Sequence, residues 1–332
     1  MIEPRVSIII PAFNAEEFIE RSISSVVSQT VTDWELIIVN DGSTDTTAKL
    51  IENAASHEPR IHCIHQENQG LSAARNAGLG ATRGRFVQFL DADDTLLPMK
   101  LEVSLNRFET DPELDIVACN AILIDSAGRK SHPIRCPVSN FSEELWIRNI
   151  FVVNAPLVRA SLIQKVGLFA TEATSLYPLY GCEDWHFWLR CSLLNAKIDC
   201  LSDVLVQNFK HDENMSRKEL QMHLSELWCL DSVQNWCREA QPNHELLRRT
   251  SYLYRVTRGL AKLNGRGYGE WLASVSKDEL ISNHSVVGAL LRRRREIPHW
   301  LLTKLFHGFS KILFLKLRRL VKQSAMARVA QR

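Results

Sequence analysis

Between Arg5 and Phe108 the chain alternates two hydrophobic patterns at a regular pace. Short unbroken runs, Arg5–Ile10, Glu35–Val39 and Arg85–Leu90, are rich in β-branched and aromatic residues and end in polar clusters. Such runs read as strands buried on both faces. Between them, apolar residues recur every three or four positions, as at 18, 19, 23, 26 and 27, and this spacing predicts a helix over Glu16–Gln29. The same period predicts helices over Asp45–Ala55, Leu71–Leu79 and Pro98–Phe108, with a short strand at Arg60–His65. Strand and helix in alternation build a mainly parallel, Rossmann-like α/β sheet with helices on both faces.

Past a further strand at Asp115–Asn120 the rhythm loosens through Gly128, Pro133 and Pro137. A helix is expected around Glu143–Ile150, an apolar piece at Leu162–Phe169, an aromatic helix over His186–Leu194 and a strand over Asp203–Phe209. From Arg217 to about His284 the period is helical. Three parts are therefore expected: an α/β domain over 1–215, a helical extension over 216–290 and a basic amphipathic helix over 291–332.

Charge sharpens that division. The formal net charge of +2 conceals 12 Lys or Arg after residue 290 against the single acid Glu296, leaving 28 basic and 37 acidic residues in 1–290. In the tail, Lys304, Lys311, Arg318 and Lys322 fall along one helical face, with Leu302, Leu305, Phe306, Phe309, Leu313 and Leu320 broadly opposite. A helix of this kind can lie in an anionic membrane surface, or pack on the protein with a wet basic face. Eight cysteines without a C-x-x-C pair read as reduced thiols of a cytoplasmic protein. The N-terminal apolar run is too short for a secretory signal, and no stretch is long enough to span a bilayer.

The unusual residues fall where the strands end. The first strand runs into Pro11-Ala12-Phe13-Asn14, the second into Asn40-Asp41-Gly42-Ser43-Thr44-Asp45, and Arg85–Leu90 into Asp91-Ala92-Asp93-Asp94. Open α/β sheets bind ligands at the carboxyl ends of their strands. Three acids in four residues repel one another unless a cation sits among them, and carboxylate oxygens suit Mg²⁺ or Mn²⁺ shared with substrate phosphates. The alternative is a solvated turn, with Asp94 or Thr95 capping the helix near Pro98.

In this order, these blocks resemble the family 2 glycosyltransferases of the GT-A fold. Val6–Asn14 opens the match, Glu35–Asp45 and Asn68-Gln69-Gly70-Leu71-Ser72-Ala73-Ala74-Arg75-Asn76-Ala77-Gly78 continue it, and Asp91–Asp94 is similar to that fold's D-x-D motif. The resemblance implies an inverting, metal-dependent transferase with Mn²⁺ or Mg²⁺ as cofactor. It moves a sugar from a nucleotide diphosphate, UDP first among them, to a hydroxyl of a glycan or lipid-linked acceptor. It places Pro11, Ala12, Asn14, Asp41, Arg75 and Asp91 around the nucleotide, Asp41 at the base and Asp91 at the ribose. Asn40 stands where many relatives have an aspartate. Asp93 and His211 would hold the metal, Asp184 would be the base, and Glu183, Trp185 and Ser216 would face acceptor or donor sugar.

The expected setting is bacterial surface polysaccharide synthesis, on the cytoplasmic face of the plasma membrane, with the tail on the lipid. A sugar nucleotidyltransferase of related fold would need a glycine-rich basic loop after the first strand, and Pro11–Glu17 has neither glycine nor a basic residue. Nucleic-acid binding through the tail is opposed by the acidic remainder of the chain. No nucleic-acid partner is expected.

Overall fold

The computed structural model describes residues 3–137, 139–171, 181–211, 219–233, 237, 242–262, 307–308, 310–320 and 323. Up to Lys262 these include eight strands and nine helices. In chain order they are β1 (Val6–Ala12), α1 (Ile19–Val27), β2 (Trp34–Asp41), α2 (Thr47–His57), β3 (Ile61–Gln66) and α3 (Leu71–Gly80). There follow β4 (Phe86–Phe89), β5 (Thr95–Leu96), α4 (Lys100–Thr110), β6 (Ile116–Ile124), α5 (Phe141–Glu144) and β7 (Leu157–Arg159). The last are α6 (Ala160–Val166), α7 (Glu183–Leu193), β8 (Ile198–Phe209), α8 (Glu219–Ser232) and α9 (Pro242–Lys262).

The strands form one sheet in the order β3-β2-β1-β4-β7-β6-β8-β5. Its first half is parallel: Val6 pairs with Trp34 and Phe86, and Leu36 with Ile61. Every residue of β1, β2 and β4 is buried, which is why they read as unbroken apolar runs. Alternate residues serve opposite faces. Ile8, Ile10, Leu36 and Ile38 join a core with Ile19, Ile23, Ile51, Leu101 and Leu105 from α1, α2 and α4. Ile37 and Val39 point the other way, against Ala74 of α3. Gly78 makes that approach possible, because a Cβ there would lie 2.5 Å from Ile9 Cγ2.

The second half is mixed, since β7 runs antiparallel to both β4 and β6 while β6 and β8 are parallel. The short strands β5 and β7 have no signature in the hydrophobic pattern. Two and three residues show no period, and only their pairing with β8, β4 and β6 defines them. From β1 the chain winds outward to β3 and then returns to place β4 on the other side of β1. That reversal is the topological switch point where such sheets open a crevice.

By density of internal contacts the chain divides into two compact units. The first comprises residues 1–141, 150–171 and 194–214, which hold the whole sheet. Among the described residues, the second gathers 142–149 and 181–193 with those from 219 on. In the second unit all residues of α7 are buried, from Glu183 to Leu193. A helix surrounded in this way is a core helix. Arg255 of α9 reaches Ile147 O at 2.9 Å and pairs with Glu226 of α8.

The tail is described over 310–320, where it is helical. Leu313 and Leu317 are buried and Arg318 pairs with Glu144 at 2.6 Å. The face expected to be offered to lipid through Leu313 is therefore covered. The exposed side instead carries Ile312 and Leu315, 62% and 60% exposed, with Lys311, Lys316 and Arg319 beside them. No helix among the described residues is long and apolar enough to cross a membrane.

Candidate active site

β4 ends at Phe89, and the acids follow in a turn closed by Asp94 N donating to Asp91 O at 3.1 Å. Asp91, Asp93 and Asp94 bring carboxylate oxygens within 4.8 Å of one another. Like charges so close disfavour ionisation unless compensated. Arg75 of α3, 1% exposed, donates Nη2 to Asp91 Oδ1 at 2.8 Å. His211, two residues beyond β8, lies with Nε2 2.8 Å from Asp93 Oδ2, its ring stacked on Phe18 at 4.9 Å. Arg21 of α1 donates to Asp93 O at 2.7 Å while its guanidinium lies 3.6 Å over the Phe209 ring.

Burial pushes the Asp93 carboxyl upward and the Asp91 charge adds to the shift, against the opposing pull of His211. A divalent cation would offset the repulsion between these carboxylates, and the donors are the oxygens and imidazole nitrogen that Mg²⁺ or Mn²⁺ accepts. The residues present therefore fit such an ion.

Asp94 does not cap the following helix. Met99 occupies the N-cap of α4 without a side-chain cap, while Asp94 is buried. Its carboxylate accepts from Asn154 Nδ2 at 2.5 Å, Asn208 Nδ2 at 2.6 Å and Phe209 N at 2.8 Å. Burial holds this carboxyl well above the usual range, and Asp93 and Asp91 reinforce that, against the donors from Phe209 and Asn154. Asp94 ties the acidic turn to the end of β8.

At the end of β2, Asp41 is equally well fixed. Its Oδ1 accepts from Gln66 Nε2 at 2.6 Å and Gln69 N at 2.9 Å, and its Oδ2 from Gly70 N at 2.9 Å. Asp41 thus shapes the loop leading into α3. Gly42 follows with φ of +74°, where a Cβ would also meet Asn68 N at 2.7 Å, so only glycine fits. Asn40 Oδ1 accepts from Ser43 N at 3.1 Å. Asn14, in the left-handed region at φ 47°, accepts from Thr44 N at 2.8 Å and donates its own N–H to Ser43 Oγ at 3.0 Å. It braces the first strand end against the second. Pro11 and Ala12 are buried within β1.

Glu183, Asp184 and Trp185 belong to the second unit, in the first turn of α7. Asp184 Oδ2 accepts from Asn149 Nδ2 at 2.8 Å, and Oδ1 accepts from Trp185 N at 2.6 Å. Trp185 is 2% exposed, donates Nε1 to Leu145 O at 2.8 Å and carries Arg255 over its ring at 4.2 Å. This is the placement of a packing residue, with the ring and N–H both used inside the unit. Ser216 lies outside the described residues.

Three residues around the turn escape a reading of the sequence. Asn154 and Gln88 are both fully buried, and Ser22 of α1 directs its hydroxyl at Asp94 O at 2.5 Å and Ala92 O at 2.8 Å. One signal does exist: Asn154 interrupts the apolar run 150–157 and Gln88 interrupts strand β4. A lone polar residue in a buried run needs a partner.

Residues 7–163 match the family model described as Glycosyl transferase family 2. The chain is 38% identical to a chondroitin synthase of Escherichia coli over 223 residues, 65% of this chain and 30% of that one. It is 40% identical to a hyaluronan synthase of Pasteurella multocida over 228 residues, again 65% of this chain and 22% of the other. An uncharacterized glycosyltransferase of Bacillus subtilis, EpsJ, matches at 44% over 116 residues, 35% of this chain and 33% of EpsJ. The chain thus spans a third or less of the length of these three relatives. Among solved structures, S. aureus TarS 1-349 in complex with UDP-GlcNAc superposes with a TM-score of 0.66 at 20% identity, covering 96% of this chain and 91% of that one. A mannosyltransferase of Pyrobaculum calidifontis, in complex with GDP-Man and Mn²⁺, superposes with a TM-score of 0.59 at 17% identity, over 98% and 88% of the two chains. The fold expected from the sequence, GT-A, is the fold observed.

Proposed function

From the match of residues 7–163 to the family 2 glycosyltransferases, we propose that the chain transfers a sugar from a UDP-sugar to a hydroxyl of a glycan or lipid-linked acceptor, with inversion, in surface polysaccharide synthesis. The observation that carries this reading is the meeting of Arg75–Asp91 and Asp93–His211 at the carboxyl end of β4, beside the switch point. Relatives named for chondroitin and hyaluronan synthesis support the polysaccharide, and the UDP-GlcNAc complex of TarS supports the nucleotide.

In this reading the base is received by the strand ends around Pro11, Ala12 and Asp41, whose loop Asp41 holds rigid, while Asp91, oriented by Arg75, meets the ribose. Asp93 and His211 would hold Mn²⁺ or Mg²⁺, which when bound supplies positive charge to the departing diphosphate. Asp184 takes the proton from the acceptor hydroxyl as its oxygen forms a bond to the anomeric carbon and the bond to the diphosphate breaks. In-line attack opposite the leaving group inverts that carbon. The basic, exposed face of 310–320 holds the enzyme against the anionic cytoplasmic leaflet.

The test is nucleotide release by the purified chain across a panel of nucleotide sugars with Mn²⁺. UDP release with one donor, accelerated by a glycan acceptor, is the expected result. A protein that neither binds UDP nor releases it from any donor would sink the proposal.

A further inference from the structure

We infer that Asn154 is a positioning residue, which by gripping both ends of the Asp91–Asp94 turn sets the spacing of the acids that receive the cation and the nucleotide. The inference rests on the function proposed above. Asn154 lies in the segment before β7, sixty residues from the turn in sequence, and is fully buried. Its Oδ1 accepts from Asp91 N at 2.8 Å and its Nδ2 donates to Asp94 Oδ2 at 2.5 Å. One planar carboxamide therefore links the first and last acids of the turn. Its own main-chain carbonyl accepts from Gln88 Nε2 at 2.8 Å, and the same amide reaches Phe89 O at 2.7 Å. The clamp is thereby anchored to β4, the strand that delivers the turn.

Few other side chains could do this. The site needs an acceptor and a donor held in one plane on a short stem, which is the inventory of an asparagine. Aspartate would keep the contact with Asp91 N but set a second carboxylate against Asp94. Serine is too short to meet both partners. The network also extends to the other side of the site. Asp94 Oδ2 accepts from Asn208 Nδ2 as well, and Asp94 Oδ1 from Phe209 N, two residues before His211. Beneath the turn, Ser22 gathers the carbonyls of Ala92 and Asp94. With the turn held from Asn154, Asn208 and Ser22, Asp93 stands with its carboxylate toward His211 in a geometry defined before any ligand arrives. Partners one layer behind ligating side chains orient them, and their loss commonly weakens metal affinity or activity about 10–100-fold.

The experiment titrates Mn²⁺ into the full chain with UDP present and reads the free-ion signal by electron paramagnetic resonance. Wild type, Asn154→Ala and Asn208→Ala are compared, with thermal unfolding run on each. Asn154→Ala is expected to bind Mn²⁺ about 10–100-fold more weakly, the loss typical of such partners. Asn208→Ala, which removes one of three donors to Asp94, should shift affinity the same way by less. A variant that melts earlier yet binds Mn²⁺ as tightly as wild type would show Asn154 to be a packing residue and overturn the inference. If Asn154→Ala does not fold, the Asn208→Ala titration decides: weakened Mn²⁺ binding supports the clamp, and unchanged binding overturns it. Wild type that takes up no Mn²⁺ with UDP would remove the proposed metal site first, and this inference with it.

Discussion

Asp184 accepts from Asn149 in the first turn of a core helix, so Asp184→Asn preserves its size while removing the capacity to take a proton. The expected outcome is a fall in kcat of about 10²–10⁴, the usual range for a general base. UDP affinity measured by calorimetry should stay near wild type, because the proposed base would meet only the acceptor. Abolished UDP binding would reassign Asp184 to the nucleotide. At this scale the acids were legible because carboxylates at strand ends are chemically conspicuous. Their division of labour was not. Asp94 resembles its neighbours in the sequence, and only its burial and three donors identify it as a tie between β4 and β8. Trp185 illustrates the converse: an aromatic beside acids suggests a sugar platform, yet its N–H is spent on Leu145.

Two elements carry predictions of their own. At the edge of the sheet remote from the acids, Glu35 of β2 accepts from Ser7 Oγ at 2.6 Å, from Arg83 N at 2.8 Å and from the Arg83 guanidinium at 2.6 Å. Burial alone would raise this carboxyl, but Ser7 and Arg83 outweigh it and hold it below its ordinary value of 4.5. A carboxylate depressed on folding contributes stability that is present above its unfolded pKa and lost as pH falls through the folded one. Wild type should therefore lose melting temperature below pH 4.5 more steeply than Glu35→Gln, while at neutral pH Glu35→Gln costs about 1–3 kcal/mol, the range for a buried acceptor with its donors left short. Parallel melting curves that keep the same separation from pH 7 to pH 3 would contradict this. The other element is the helix over 310–320. The pair Ile312→Ser and Leu315→Ser should stop the full chain floating with anionic vesicles, since each buried aliphatic contributes about 1.5–3 kcal/mol. Wild type that stays at the bottom of the gradient, or floats equally with neutral lipid, would exclude an anionic surface as its partner.

For the molecule as a whole, the α/β sheet and its parallel half were determined by the sequence alone. Unbroken apolar strands and 3.6-residue helices are local patterns, and the rule that ligands gather at strand carboxyl ends converts them into a site. The ordered blocks from Val6 to Asp94 likewise carried the resemblance to the family 2 glycosyltransferases, whose model matches residues 7–163. What only the tertiary structure decided depends on distant parts of the chain meeting. The antiparallel strands β5 and β7 exist through their pairings, and residues 142–149 and 181–193 join the second unit through packing that no local period records. Asn154 reaches Asp91 and Asp94 across sixty residues, and Leu313 faces inward because a covered surface was there to receive it. A hydrogen bond specifies its partner by geometry rather than by spacing in the chain, so the acids could be read from the sequence and the clamp that holds them could not.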